Sequence, residues 1–142
     1  MKTLFSIALL SFGLFIASSA QAHFGMLIPS SPHADQDTRS IELQFSFSHP
    51  FGGDGMELVA PKAVQVLKDG ETEDVLQSLA PATIMEFPGF TLEYGFERPG
   101  VYLFGMEPSP YWEPAEDCHI IHYTKAIVPA FGDEEGWDAL MG

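Results

Sequence analysis

The sequence predicts an all-β domain, an immunoglobulin-like β-sandwich, and three observations carry that expectation. Ile41-Glu42-Leu43-Gln44-Phe45-Ser46-Phe47 alternates cleanly between apolar and polar residues, which is the period of a half-buried strand. Short apolar runs follow one another between Pro and Gly punctuation, the turn chemistry of antiparallel sheets. Cys118 to Val128 is rich in β-branched residues, and no segment has the spacing of a long amphipathic helix, so a helical or βαβ domain is disfavoured.

Taken in order, the first element is the strand from Ile41 to Phe47, set off from the preceding residues by the turn-rich stretch Ser30 to Asp37. It ends at Ser48-His49-Pro50-Phe51-Gly52-Gly53, where Pro and Gly interrupt any ladder. Ala63 to Leu67 reads as a second strand turning at Lys68-Asp69-Gly70, with a weakly patterned continuation through Val75-Leu76. Further strands are expected from Thr83 to Phe87, from Phe90 to Phe96 after a Pro88-Gly89 turn, and from Val101 to Met106 after Pro99-Gly100. The prolines of Pro108 to Asp117 recur too often for a helix or a central strand, so a constrained loop is expected there. Cys118 to Val128 is the last strong strand unit.

The first 22 residues have one basic residue, Lys2, an apolar run from Leu4 to Ile16, and a small-residue end at Ala20-Gln21-Ala22. That is the pattern of a secretory signal cleaved after Ala22. The apolar run is short for a membrane span, so the expected product is a protein released into the periplasm, beginning at His23. The remaining 120 residues suffice for one domain. Residues 23–130 are expected to form the sandwich, and 131–142 to be an acidic linker or the truncated start of a following domain.

Twenty acidic residues face six basic ones, a formal net charge of −14. Nucleic acid is excluded as a natural partner by that balance, whereas cations are attracted. A single cysteine, Cys118, rules out an internal disulfide framework.

His23 leads the candidate chemistry, because a histidine at a mature N-terminus offers an α-amine and an imidazole from one residue. Nitrogen donors of this kind suit nickel, cobalt, copper and zinc. His49 lies where a strand ends, a favourable place to build a site, although a histidine capping the turn is the structural alternative. Residues three apart point to opposite faces of a regular strand. His119 and His122 would therefore reach one ion only if their strand is bulged or begins after His119; His122, sharing a face with Cys118 and Ile120, is preferred. Core packing remains the ordinary role for either. The proline-rich loop adds Tyr111, Trp112, Glu113 and Glu116 as exposed aromatic and carboxylate candidates. Asp54-Gly55-Met56-Glu57 lacks the donor spacing of a calcium loop, and no Gly-Lys-Ser/Thr follows its glycines to make a nucleotide loop.

With these residues in view, the chain resembles the amino-terminal part of the periplasmic nickel/cobalt-uptake proteins, a family formerly catalogued as a domain of unknown function. The resemblance rests on Ala22-His23-Phe24-Gly25-Met26, on Phe45-Ser46-Phe47-Ser48-His49-Pro50, and on Tyr111-Trp112-Glu113-Pro114 running into Ile121-His122-Tyr123-Thr124-Lys125. It implies a β-sandwich that captures or delivers Ni2+ or Co2+ to an inner-membrane transporter without catalysis, with Cu2+ and Zn2+ chemically compatible. Carried over, the ligands would be His23, His49 and His122, with His119 and a carboxylate, Glu113 or Glu116, in reserve. Family members usually carry a second β-domain after the region matching Gly132 to Trp137. Two rival readings stand beside it: a copper-dependent histidine-brace oxidoreductase, and a non-metal carbohydrate or adhesion module using Tyr111 and Trp112.

Overall fold

The computed structural model describes residues 24–49, 54–113 and 117–132. Two antiparallel sheets face each other. The first is ordered β1-β2-β7-β6 and comprises β1 (Phe24–Pro29), β2 (Ser40–His49), β6 (Ala80–Ile84) and β7 (Phe87–Gly95), with the short β3 (Asp54–Met56) also paired to β2. The second is ordered β11-β8-β4-β5 and comprises β4 (Ala63–Lys68), β5 (Glu71–Asp74), β8 (Gly100–Glu107) and β11 (Thr124–Ala130). A separate two-stranded ribbon, β9 (Tyr111–Glu113) and β10 (Cys118–Ile120), leaves the chain between β8 and β11. Among the described residues no helix is long and apolar enough to cross a membrane.

The expected alternation places Ile41, Leu43 and Phe45 of β2 between the sheets, each at most 2% exposed, beside Leu92 of β7. Val64, Val66, Phe104, Met106 and Val128 meet them from the second sheet. Connectivity and detail are immunoglobulin-like. The sheets take the order A-B-E-D and G-F-C-C′, and the Tyr102 hydroxyl, near the start of β8, donates to the Arg98 carbonyl at 2.8 Å. That hydrogen bond is the tyrosine corner of such sandwiches. Around it Tyr94, Phe96, Tyr102 and Phe104 stack edge to face.

Several expected elements are corrected. Pro88-Gly89 is not a turn: β7 runs through it, and the turn sits at Met85-Glu86, both at positive φ. Gly89 serves close approach instead, since a Cβ there would lie 2.4 Å from the Phe45 carbonyl oxygen. The expected strand from Cys118 to Val128 is broken at Ile121–Tyr123, because β10 pairs with β9 whereas β11 pairs with β8. The face arithmetic for His119 and His122 therefore does not apply across the break. Val75-Leu76 does not extend a strand; a 3-10 turn follows at Leu76–Ser78. β1 and β3 were not anticipated, since each is short or contains Pro or Gly and draws its pairing from β2.

One end of the sandwich gathers the start of β1, the end of β2 and the described parts of the β2–β4 connection and of the β8–β11 excursion. This is the end at which immunoglobulin-like domains cluster the loops used for recognition.

Candidate functional site

β1 reaches this end because Gly25 is small. A Cβ at Gly25 would meet Met106 Cε at 3.3 Å, Thr124 Oγ1 at 3.3 Å and the His122 carbonyl oxygen at 3.6 Å. With no side chain in the way, the Thr124 hydroxyl lies 2.8 Å from the Gly25 carbonyl oxygen, to which it donates, and 3.3 Å from that of His122. The start of β1 is thereby tied to the segment that carries His122. The rings follow the backbone: the imidazole of His122 lies 5.7 Å from the Phe24 ring and 6.4 Å from the Phe47 ring, centroid to centroid.

His49 terminates β2, one residue beyond the Phe24–Ser48 pair that ends the β1–β2 ladder, and its Cα pairs with that of Asp54 in β3. It has the sequence parity of Phe45 and Phe47, whose side chains enter the core. His119 is placed differently. It is exposed and pairs across the ribbon with Trp112, their rings 5.0 Å apart and edge to face. Tyr111 turns the other way and packs on Phe47 at 5.1 Å. Glu113, half-buried, pairs with the exposed Cys118. The candidates thus divide. His122 stands with Phe24 and Phe47 at the mouth between the sheets, and His119 is exposed against Trp112 of the ribbon, a ring that also lines the cavity beside His122. His23 and Glu116 lie outside the described residues, as do residues 1–22, where a leader is expected, and residues 133–142. Among the described residues, no group of three or more His, Cys, Asp or Glu is positioned to hold an ion.

Beside His122 is a cavity of about 220 Å³. Leu58 and Val59 of the β2–β4 connection form one wall, and Pro108, Pro110 and Tyr111 of the excursion form another. Two hydrogen bonds brace the walls: Ser109 Oγ donates to the Ala60 carbonyl at 2.8 Å, and the Leu58 amide donates to the Pro88 carbonyl at 2.9 Å. Sequence reasoning missed this wall, because Leu58-Val59-Ala60 has no periodic signal and acquires a role only when the excursion folds over it. The exposed apolar residues Phe24, Val59, Trp112, Ile121 and Tyr123 gather on the elements and connections of this end.

At the other end of the molecule a cavity of about 490 Å³ opens beside β5 and β7. It is lined by Glu71, Glu73, Glu93 and Glu97 as well as Lys68 and Arg98. The Tyr94 hydroxyl donates to Glu73 Oε2 at 3.0 Å, and burial, reinforced by that bond, holds its phenol well above the usual range. No histidine lines it.

No curated protein and no solved structure matches the chain. A family match, described as Domain of unknown function (DUF4198), extends over residues 20–142. It spans the N-terminal strand, both sheets and the excursion that carries His122, and the chain therefore belongs to that family.

Proposed function

We propose that this protein captures a divalent transition metal, nickel or cobalt, in the periplasm and passes it to an inner-membrane uptake transporter, without catalysing a reaction. The observation that carries the reading is the contact of Phe24 with the His122 imidazole, at 5.7 Å between ring centroids. It fixes the start of the described chain beside one histidine, at the end of the sandwich where β2 terminates in another, His49. The residue before Phe24 is His23. Cleavage after Ala22 would free its α-amine, and amine and imidazole nitrogens would be the donors of a partly open site. Metal would leave by stepwise replacement of ligands. The acidic balance of the chain favours approach of a cation.

The reading is tested on protein exported by its own leader, with intact mass and metal content measured on the same sample. The expected result is a chain beginning at His23 with about one nickel or cobalt bound, and an affinity that falls by roughly tenfold or more in His23→Ala and in His122→Ala. A His23→Ala protein that binds nickel as tightly as the parent overturns it. Affinity order alone places copper first among divalent ions, so the cargo is identified by what the exported protein retains.

A further inference from the structure

We infer that the outward face of the second sheet is where two copies of this chain pair, through a two-fold axis that sets Lys125 of each copy against Glu107 of the other. The inference is independent of the metal-capture reading and uses none of the residues assigned to it.

Val66, Phe104 and Val128 enter the core, so their neighbours Leu67, Leu103 and Ile127 point to the opposite side of the sheet. The ladders set these three abreast, with Leu103 between Leu67 of β4 and Ile127 of β11. An apolar row thus crosses a face on which a solvated sheet places polar residues. The outward face of the first sheet has that ordinary pattern, since Glu42 pairs with Glu93 and Gln44 with Thr91. Beside the apolar row the register places Gln65, Gly105 and Lys125 in line, and Glu107 follows two residues along β8. These residues line a trough at whose rim stands Tyr123, 72% exposed.

Gly105 is the floor of the trough, and nothing local requires a glycine there. Its φ is not among the left-handed ones, and a Cβ would meet only Leu103 Cδ2, at an ordinary 3.9 Å. A glycine inside a strand costs stability and often marks the close approach of a ligand or of another backbone. Charge identifies what approaches. Lys125 is exposed and Glu107 half-buried, and neither is ion-paired with another described residue. A partner of one charge sign would leave one of them facing like charge. A second copy satisfies both, because a two-fold contact repeats each pairing in reverse. Gly105 lies at the corner between Lys125 and Glu107, so the operation that exchanges those two brings the glycines of the two copies together. The bare floor then lets the sheets approach closely, with the apolar rows and the Tyr123 rings covered at the join.

The test is sedimentation equilibrium of the exported protein at physiological ionic strength, for the parent and for charge-reversed variants. A dimer is expected for the parent. Lys125→Glu and Glu107→Lys each set like charges across the axis, and each is expected to weaken dimerisation by at least about tenfold. The protein carrying both reversals regains the pair in the opposite sense and is expected to dimerise within about threefold of the parent. Far-ultraviolet circular dichroism confirms that all three variants are folded. A parent that sediments as a monomer throughout the micromolar range overturns the inference. A dimer that both single reversals leave intact also overturns it, as does a double reversal that fails to restore association.

Discussion

Thr124 is the residue through which the two sheets communicate at the candidate site. Its hydroxyl donates at 2.8 Å to the carbonyl of Gly25 and lies 3.3 Å from that of His122, so one side chain holds the start of β1 against the histidine segment. A neutral hydrogen bond of this kind contributes about 0.5–1.5 kcal/mol net. Thr124→Val keeps the shape and removes the donor. It is expected to lower stability by about 1 kcal/mol in urea unfolding. On the proposed metal-capture reading, nickel affinity should fall as well, although the His122 imidazole is untouched, because the start of β1 would be less firmly held. A Thr124→Val protein of parental stability would show that the sheets are joined here by packing alone. Phe24-Gly25 was visible in the sequence as part of a motif, yet the reason for its glycine was not, since Met106 and Thr124 approach it only across the gap between sheets.

The two hairpin turns show what was legible at the scale of elements. Asp69-Gly70 lies at φ 51° and 79°, the pair of left-handed residues that a tight hairpin requires, filled by the residues that adopt it at least cost. The sequence marked that turn directly. Met85-Glu86 adopts the same kind of turn, at φ 50° and 71°, with residues that disguise it, so the nearby Pro88-Gly89 attracted the turn assignment instead. The left-handed conformation costs a non-glycine residue about 1–2 kcal/mol, and glycine returns part of the gain as chain entropy. Glu86→Gly is therefore expected to stabilise the protein by roughly 0.5–1 kcal/mol, seen as a higher urea midpoint with an unchanged slope. A lower midpoint would mean that the Glu86 side chain makes a contribution larger than its backbone strain. The long alternating strand β2 was legible because its period is set by its own burial. β1, β3 and β9 were not, because each is short, sits beside Pro or Gly and draws its pairing from a neighbour; β10 falls inside the expected strand from Cys118 to Val128, and the break at Ile121–Tyr123 arises from a change of partner strand. The same break explains why the relation of His119 to His122 was undecided in the sequence.

At the scale of the whole molecule, the sandwich is held without a covalent tie between its sheets. Tyr102 forms the tyrosine corner, and two residues further along β8, where antibody domains place the second cysteine of an inter-sheet disulfide, this chain has Phe104. Phe104 is fully buried, as is Phe45 of the opposite sheet, and the chain's one cysteine, Cys118, is exposed in the ribbon. Packing around these aromatic rings must therefore supply what the disulfide would otherwise contribute. Truncating a buried Phe to Ala costs about 3–5 kcal/mol, against a total of about 5–15 kcal/mol for a domain of ordinary stability. Tyr102→Phe removes only the corner hydrogen bond, about 1 kcal/mol. Phe104→Ala is thus expected to remove about a fifth or more of the folding free energy and Tyr102→Phe a smaller part of it, with reducing agent changing neither result. The elements at the histidine end begin or end in β1, β2, β8 and β11, strands that share this core. If the site depends on the sandwich as a unit, urea unfolding of Phe104→Ala followed by circular dichroism should coincide with loss of bound nickel. Metal lost well before the circular dichroism transition would instead show that the histidine end opens on its own, and that capture depends on a local structure the core does not control.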